Sequence, residues 1–311
     1  DVARSWEVLD GGRRYVFHLR DDVHWSDGVP VAAGDFEYAW RRVLDPVTGS
    51  PAASLLYDVK GARAFHRGEG EMEGLGVHAL NEVTLVVDLE APTGYFLHLL
   101  TLETCCPVPR HVVEVHGEAW TDVDIIVTNG PFRLDTWQRG ESMTLVRNTE
   151  YHGRSIGNVQ RVELFFAKPS AGLEMYEDDG LDAIDISSLP PAEMDRARQR
   201  HAGEYVSVPS LTTAYAGFDV SRPPFDDLRV RQALTLATDR ETHAEVAWRG
   251  YVFPATGGFV PLGMPGHSAG IGLPYDPDRA RQLMAEAGYP GGRGFPVVVA
   301  LVPLGISDES K

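Results

Sequence analysis

The sequence predicts a mixed α/β protein of more than one lobe. Segments with the two-residue period of strands alternate irregularly with segments of helical period. No repeat runs through the 311 residues, a length that allows two or three domains with substantial cores. Pro- and Gly-containing connections separate the periodic segments.

The elements follow in order. Tyr15 to Arg20 alternates like a strand, and a tight turn, Ser26-Asp27-Gly28, comes next. Phe36, Ala39, Trp40, Val43 and Leu44 then recur at i, i+3, i+4, i+7 and i+8, the apolar stripe of an amphipathic helix. A further helix is expected from Ala53 to His66. The acidic run Gly68 to Gly74 looks superficially like a phosphate loop. It has carboxylates where a phosphate needs amides and no strand before it, so it reads as a solvated hairpin loop.

Val83, Leu85, Val87 and Leu89 restore strand periodicity. Tyr95 to Leu102 reads as a short apolar helix, and Pro107 and Pro109 lead into a second at Arg110 to Gly117. Asn129-Gly130-Pro131 predicts a turn between two strands, the second through Phe132, Leu134 and Trp137, followed by a hairpin to Met143–Val146. Val162 to Ala167 is nearly all apolar and fits a central strand.

Gly180 to Ser188 reads as a strand ending in two hydroxyls, followed by a helix from Ala192 to Arg200 and strands at Tyr205 to Val208 and Thr212 to Val220. Val230, Ala233, Leu234 and Ala237 mark the longest helical pattern, and Asp239 can cap the next helix, which ends near Gly250. A Pro- and Gly-rich loop fills 254–274. Asp276-Pro277 opens a last helix that Gly288 closes, and Phe295 to Val302 reads as an apolar strand.

Composition narrows the function. A net charge of -17 without any cluster of Lys and Arg argues against nucleic acid or anionic lipid as partner. No apolar run reaches the roughly 20 residues of a membrane span, and no signal peptide opens the chain. The two cysteines, Cys105 and Cys106, are neighbours, too few for a zinc site and unable to staple distant segments. They read as ordinary, partly buried thiols, with a redox-sensitive loop as the alternative.

The stretch Trp25-Ser-Asp-Gly-Val-Pro-Val-Ala-Ala-Gly-Asp-Phe-Glu-Tyr-Ala-Trp40, preceded by Tyr15-Val-Phe-His-Leu-Arg, resembles the signature of the family-5 solute-binding proteins of ABC importers. Later segments agree in order and spacing: Ser50 to Ser54, Gly76 to Leu80, Cys106 to Pro109, Val127 to Phe132, Glu141 to Asn148, Pro224 to Leu234, Asp239-Arg240 and Ala285 to Tyr289. The likeness is to oligopeptide binders more than to nickel binders. It implies a class II, three-lobed periplasmic-binding-protein-like architecture with mixed sheets and helices, here incomplete. On that mapping 1–109 is the accessory lobe, 110–211 part of the first ligand lobe, and 212–311 the beginning of the second. An N-terminal piece of the first lobe and most of the second are expected outside the chain, along with the acidic residue that family peptide binders use for the ligand's amino terminus.

The resemblance also implies function. The expectation is an extracytoplasmic binding component, periplasmic or lipid-anchored, that captures a short peptide between lobes and delivers it to the transmembrane permease subunits. It would act as a monomer, without cofactor or metal. Ligand-lining positions map to Ile186, Ser187 and Ser188, and to Ser210, Thr212, Thr213, Tyr215 and Gly217. Their chemistry suits the task, since hydroxyls and amides bond a main chain without imposing a charge and Tyr215 offers an aromatic wall. Ser187 and Ser188 have a plainer reading as caps of the helix after Pro190-Pro191. Ala52 and Leu102 stand where well-known oligopeptide binders carry an aromatic and a histidine, which implies a wider pocket or other side-chain preferences. A ligand sensor without transport, and a binder of nickel chelate, sugar or another small solute, are the alternatives.

No catalytic residue is expected. The chain has neither H-E-x-x-H nor G-x-S-x-G. His111 and His116 diverge by about 140° on a helix, so they do not converge with Glu114 on a metal. Asp178-Asp179 and Asp226-Asp227 sit beside turns and read as caps or solvated carboxylates.

Overall fold

The computed structural model describes residues 2–153, 157–208 and 210–300. The chain divides into two compact units between Ala167 and Lys168.

The first unit opens with strands β1 (Ala3–Leu9) and β2 (Arg14–Leu19), then helix α1 (Ala33–Leu44) and the short helix α2 (Ala62–His66). Strands β3 (Val77–Asn81) and β4 (Thr84–Asp88) follow, then α3 (Phe96–Leu99) and α4 (Arg110–His116). A four-stranded antiparallel sheet forms in the order β1-β2-β4-β3. Its inner face supplies Tyr15, Phe17, Leu19, Leu85 and Val87, and α1 lays Trp40 and Leu44 against them. Phe96 fills the middle, 4.9 Å from the Tyr15 ring and edge-on to Trp40.

The signature stretch is a set of ties around one buried carboxylate. Asp35, in the first turn of α1, accepts hydrogen bonds from Trp25 Nε1 (3.2 Å), the Ala32 amide (3.0 Å) and the Arg110 amide (3.3 Å). One side chain thus fastens the turn, the start of α1 and the start of α4. Ser26 exchanges hydrogen bonds with Thr128, and His111 Nε2 lies 2.7 Å from Asp27. At the other end of the signature, Trp40 Nε1 donates to the Cys105 carbonyl. Cys105 is buried, which pushes its thiol up to about 11, while Cys106 is exposed.

Two expectations fail here for identifiable reasons. The helix expected over Ala53–His66 is a 3-10 turn (Ala53–Leu56) and α2, separated by a break. Within the break Val59 bridges Leu89 and Lys60 donates to the Asp88 carbonyl, so the chain leaves the helix to pair with the end of β4. Gly61 permits the re-entry at φ +74°, where an added Cβ would lie 2.5 Å from the Gly74 carbonyl oxygen. Before Asn129 no strand forms: residues 122–131 are turns, bends and irregular chain.

A second antiparallel sheet contains β5 (Phe132–Gln138), β6 (Ser142–Arg147) and β7 (Arg161–Phe165), with β6 in the middle. The run expected at the centre of a sheet therefore forms an edge, and Leu164, Phe165 and Phe166 are exposed.

The second unit holds α5 (Pro169–Glu177), α6 (Pro191–Arg200), α7 (Leu228–Leu236), α8 (Arg240–Trp248) and α9 (Pro277–Glu286). Ala233 and Leu236 of α7 pack on Ala280 and Leu283 of α9. Asp227, Asp239 and Asp276 cap α7, α8 and α9 through their side chains, and Gly288 follows α9 at φ +97°. Leu236 takes the buried place expected of Ala237, which is exposed. The strands expected at 180–188, 205–208 and 212–220 do not form among the described residues, nor does the 295–300 part of the last one. Residues 301 and 302 lie outside the described residues.

Candidate functional site

The expected ligand positions all fall in the second unit, on two segments without regular structure. The first is the 178–190 connection between α5 and α6. Asp185 accepts the Ser187 amide at 2.8 Å, an Asx-type turn, and Leu189 donates back to the Ile186 carbonyl. Leu189 is buried and anchors the turn, leaving Ile186 half-buried and Ser187 and Ser188 exposed. The Ser187 amide and hydroxyl hold the Asp185 carboxyl below its usual range. Neither serine caps α6, whose capping residue is Pro190. The plainer reading of this pair therefore does not hold.

The second segment runs from Ser210 to Gly217. Ser210 Oγ donates to Thr212 Oγ1 at 2.9 Å, and Thr213 Oγ1 donates to the Phe259 carbonyl at 3.0 Å. The Tyr215 and Phe259 rings meet edge-to-face with centroids 5.0 Å apart, although both side chains are largely exposed, at 71% and 66%. Where Gly217 would carry a Cβ, nothing lies within 4 Å. Among the described residues, the main chain from 210 to 217 has no backbone hydrogen-bond partner. Its amides and carbonyls remain available, beside hydroxyls and an aromatic pair.

Phe259 was not among the expected residues. It belongs to the 254–274 loop, which is fastened by its own polar contacts. His267 Nδ1 lies 2.8 Å from the Val260 carbonyl, which can only accept, so the proton sits on Nδ1. Gly257 makes room for that imidazole, since a Cβ there would fall 2.3 Å from His267 Cε1. The sequence signal for Phe259 was a lone aromatic in Gly257-Gly258-Phe259-Val260-Pro261, which points to exposure but not to a partner.

The structure thus joins Ser210 to Thr212, and Thr213 and Tyr215 to Phe259. Among the described residues no hydrogen bond links Ser187 or Ser188 to that group. In the first unit, the tempting His111, Glu114 and His116 are otherwise engaged or solvated. His111 faces Asp27, Glu114 pairs with Arg110 at 2.8 Å, and His116 is exposed. Among the described residues no group of three or more His, Cys, Asp or Glu side chains is arranged to hold a metal ion.

A family model described as "Bacterial extracellular solute-binding proteins, family 5 Middle" matches residues 1–303. The periplasmic oligopeptide-binding protein OppA of Escherichia coli is 35% identical over 299 residues, covering 93% of this chain and 54% of the relative. A second Escherichia coli relative, named probable deoxycholate-binding periplasmic protein YgiS, is 37% identical over 246 residues, or 78% of this chain and 45% of its own. Among solved structures, Burkholderia pseudomallei OppA superposes with a TM-score of 0.80 at 30% identity, covering 93% of this chain and 58% of that one. Haemophilus influenzae OppA in complex with RPPGFSPFR gives 0.74 at 31% identity, with 93% and 58% covered. The fold is that of OppA-type periplasmic binding proteins, and the chain spans about half the length of the curated relatives it matches.

Proposed function

The chain belongs to family 5 of the bacterial extracellular solute-binding proteins, and from that membership we propose that it serves in the capture of short peptides outside the cytoplasm. The observation that carries this reading is the Ser210–Gly217 segment. Among the described residues its main chain has no backbone hydrogen-bond partner, its hydroxyls are neutral, and Tyr215 with Phe259 forms an exposed aromatic shelf. An extended peptide offers what such a segment needs: a ladder of amides and carbonyls whose bonding ignores sequence, with side chains free to rest on the shelf. Ile186 to Ser188 form the second lining element. Residues 1–109 are the accessory lobe, 110–211 part of the first ligand lobe, and 212–311 the beginning of the second. Ligand-bound closure of the lobes presents the peptide to the permease subunits of an ABC importer, and the binding protein works as a monomer without catalysis.

The likeness to YgiS favours a second ligand class, because a flat apolar acid could also lie on the Tyr215–Phe259 shelf. A bile acid, however, has no use for a row of free main-chain groups. Calorimetric titration separates the two, using the protein at its relatives' length, defined alanine-rich tri- to pentapeptides, and deoxycholate. Peptide binding is expected, with Tyr215→Ala and Phe259→Ala each weakening it about tenfold. Binding of deoxycholate alone would overturn the peptide reading.

A further inference from the structure

Among the described residues no hydrogen bond joins the Ile186–Ser188 turn to the Ser210–Gly217 segment or to Phe259. The apolar cluster of this unit belongs to α7 and α9 and includes no buried residue of α6 or α8. The relative placement of the lining elements therefore rests on other contacts, and the polar ones converge on Asp195 of α6.

Asp195 gives one carboxylate oxygen to each of two distant partners. Oδ1 accepts from the Tyr251 hydroxyl at 2.9 Å, and Oδ2 lies 2.9 Å from Nη1 of Arg249. Burial first, then the bond to Asp195, pushes the pKa of the Tyr251 hydroxyl up from its ordinary 10, which keeps it protonated as the donor. Arg198, one turn along α6, faces the same hydroxyl and lies 5.7 Å from the Tyr205 ring centroid. Arg249 and Gly250 take left-handed backbone, φ +49° and +79°, which ends α8. A non-glycine residue seldom holds that conformation unless contacts fix it, and Asp195 supplies such a contact. Among the described residues, the hydrogen bonds and ion pairs that join 168–211 to 212–300 are this group and the neighbouring hydroxyls of Ser210 and Thr212.

The tie sits between the elements that need alignment. On one side α6 follows directly on the Ile186–Leu189 turn, and on the other Tyr251 leads into the 254–274 loop that carries Phe259. We infer that Asp195 is a positioning residue for the proposed peptide site, holding the Ile186–Ser188 turn and the Phe259 loop in one arrangement. The purpose of that arrangement rests on the peptide-capture reading, whereas the tie itself does not. The ion pair is partly exposed, 36% at Asp195 and 50% at Arg249, so it holds weakly and can be remade as a ligand enters.

Two measurements on the protein at its relatives' length test this. The first needs no ligand: spin labels at Ser187→Cys and Met264→Cys, in a Cys106→Ser background, report the distance between the two elements. A narrow distribution is expected in the parent and a broadened one in Asp195→Ala. The second is calorimetric titration of unlabelled protein with alanine-rich tri- to pentapeptides. Asp195→Ala is expected to weaken binding about fivefold, with Asp195→Asn, which keeps an acceptor for Tyr251 but not the charge, in between. Arg249→Gly removes the ion pair from the other side while suiting the left-handed backbone, and its effect is expected not to add to that of Asp195→Ala. Raising the ionic strength should shrink the difference between native protein and Asp195→Ala, because salt screens a partly exposed pair and would not alter a packing defect. An unchanged distance distribution overturns the inference, and so does unchanged affinity in a parent that binds peptide. A parent that binds no peptide sinks the peptide reading instead, and the label distances then still decide whether Asp195 positions the two elements.

Discussion

The two units differ in what orders them. In the first, eighteen buried residues from β2, α1, α2, β3, β4, α3 and the connections between them form one continuous cluster around Trp40 and Phe96. In the second, the cluster of α7 and α9 has four buried members, while Val206, Val208, Leu211, Tyr215, Phe253, Phe259 and Ile271 are all more than half exposed. The difference separates recognition of the family from the expected work of the protein. The signature lies where packing is dense, because Trp25, Asp35 and Trp40 tie parts of the first unit together. The expected ligand positions lie where packing is sparse, which is where segments can reorganise around a ligand. A family fingerprint can thus be a record of folding constraints rather than of binding.

The strongest way to break that comparison is through the dense unit. Trp40→Ala removes a fully buried indole and its hydrogen bond to Cys105, and is expected to cost about 3–5 kcal/mol in urea unfolding. A loss under ~1 kcal/mol would mean that the first unit is not held by this core. Next in size is Asp35→Ala, which strands the donors of Trp25, Ala32 and Arg110 and is expected to cost about 2–4 kcal/mol. Asp35→Asn keeps one carbonyl oxygen and is expected to fall between that variant and the native protein. By contrast, Tyr215→Ala should change stability by less than ~0.5 kcal/mol, its cost falling on ligand affinity instead, since the ring is already exposed.

The sequence was most legible where structure is local. The apolar stripe of α1 lies on the core face, and the caps at Asp239 and Asp276 hold their helices as their spacing implied. Legibility ended where a segment needs a distant partner. Thr212 to Val220 has the composition of a strand, but a strand is a pairing, and none of the described residues pairs with it. Val162 to Ala167 is apolar enough for a sheet centre, yet composition cannot say whether a neighbour is present on both sides. Ala53–His66 has helical composition, but a bridge from Val59 to Leu89 outweighs it. At the site, hydroxyl residues could be placed on a segment, whereas the meeting of Tyr215 with Phe259, 44 positions along the chain, is a tertiary fact.

The smallest expected effect concerns how the sparse unit keeps its turns. Between the Ser210–Gly217 segment and α7, Asp219 accepts hydrogen bonds from the Ser221 hydroxyl (2.5 Å), the Ser221 amide (3.1 Å) and Arg222 Nε (2.7 Å). The Ser221 hydroxyl above all, then the Arg222 guanidinium, draws the carboxyl down from its ordinary 3.8 to about 2. A carboxyl that is harder to protonate in the folded turn favours that turn above the ordinary carboxylate pKa. The contribution fades as pH falls through the folded value, so the window runs from about pH 4 down to about pH 2. Because the group is solvent-exposed, the effect is local, and the right readout is the Asp219 carboxyl titration together with amide exchange at Ser221 and Arg222. Acid is expected to release those amides in the native protein, and Asp219→Asn to remove that pH dependence. Titration at the ordinary value would show that this turn is ordered by its neighbours rather than by its own polar contacts. The sparse unit would then owe its shape to apolar packing after all, and the contrast with the first unit would be one of degree.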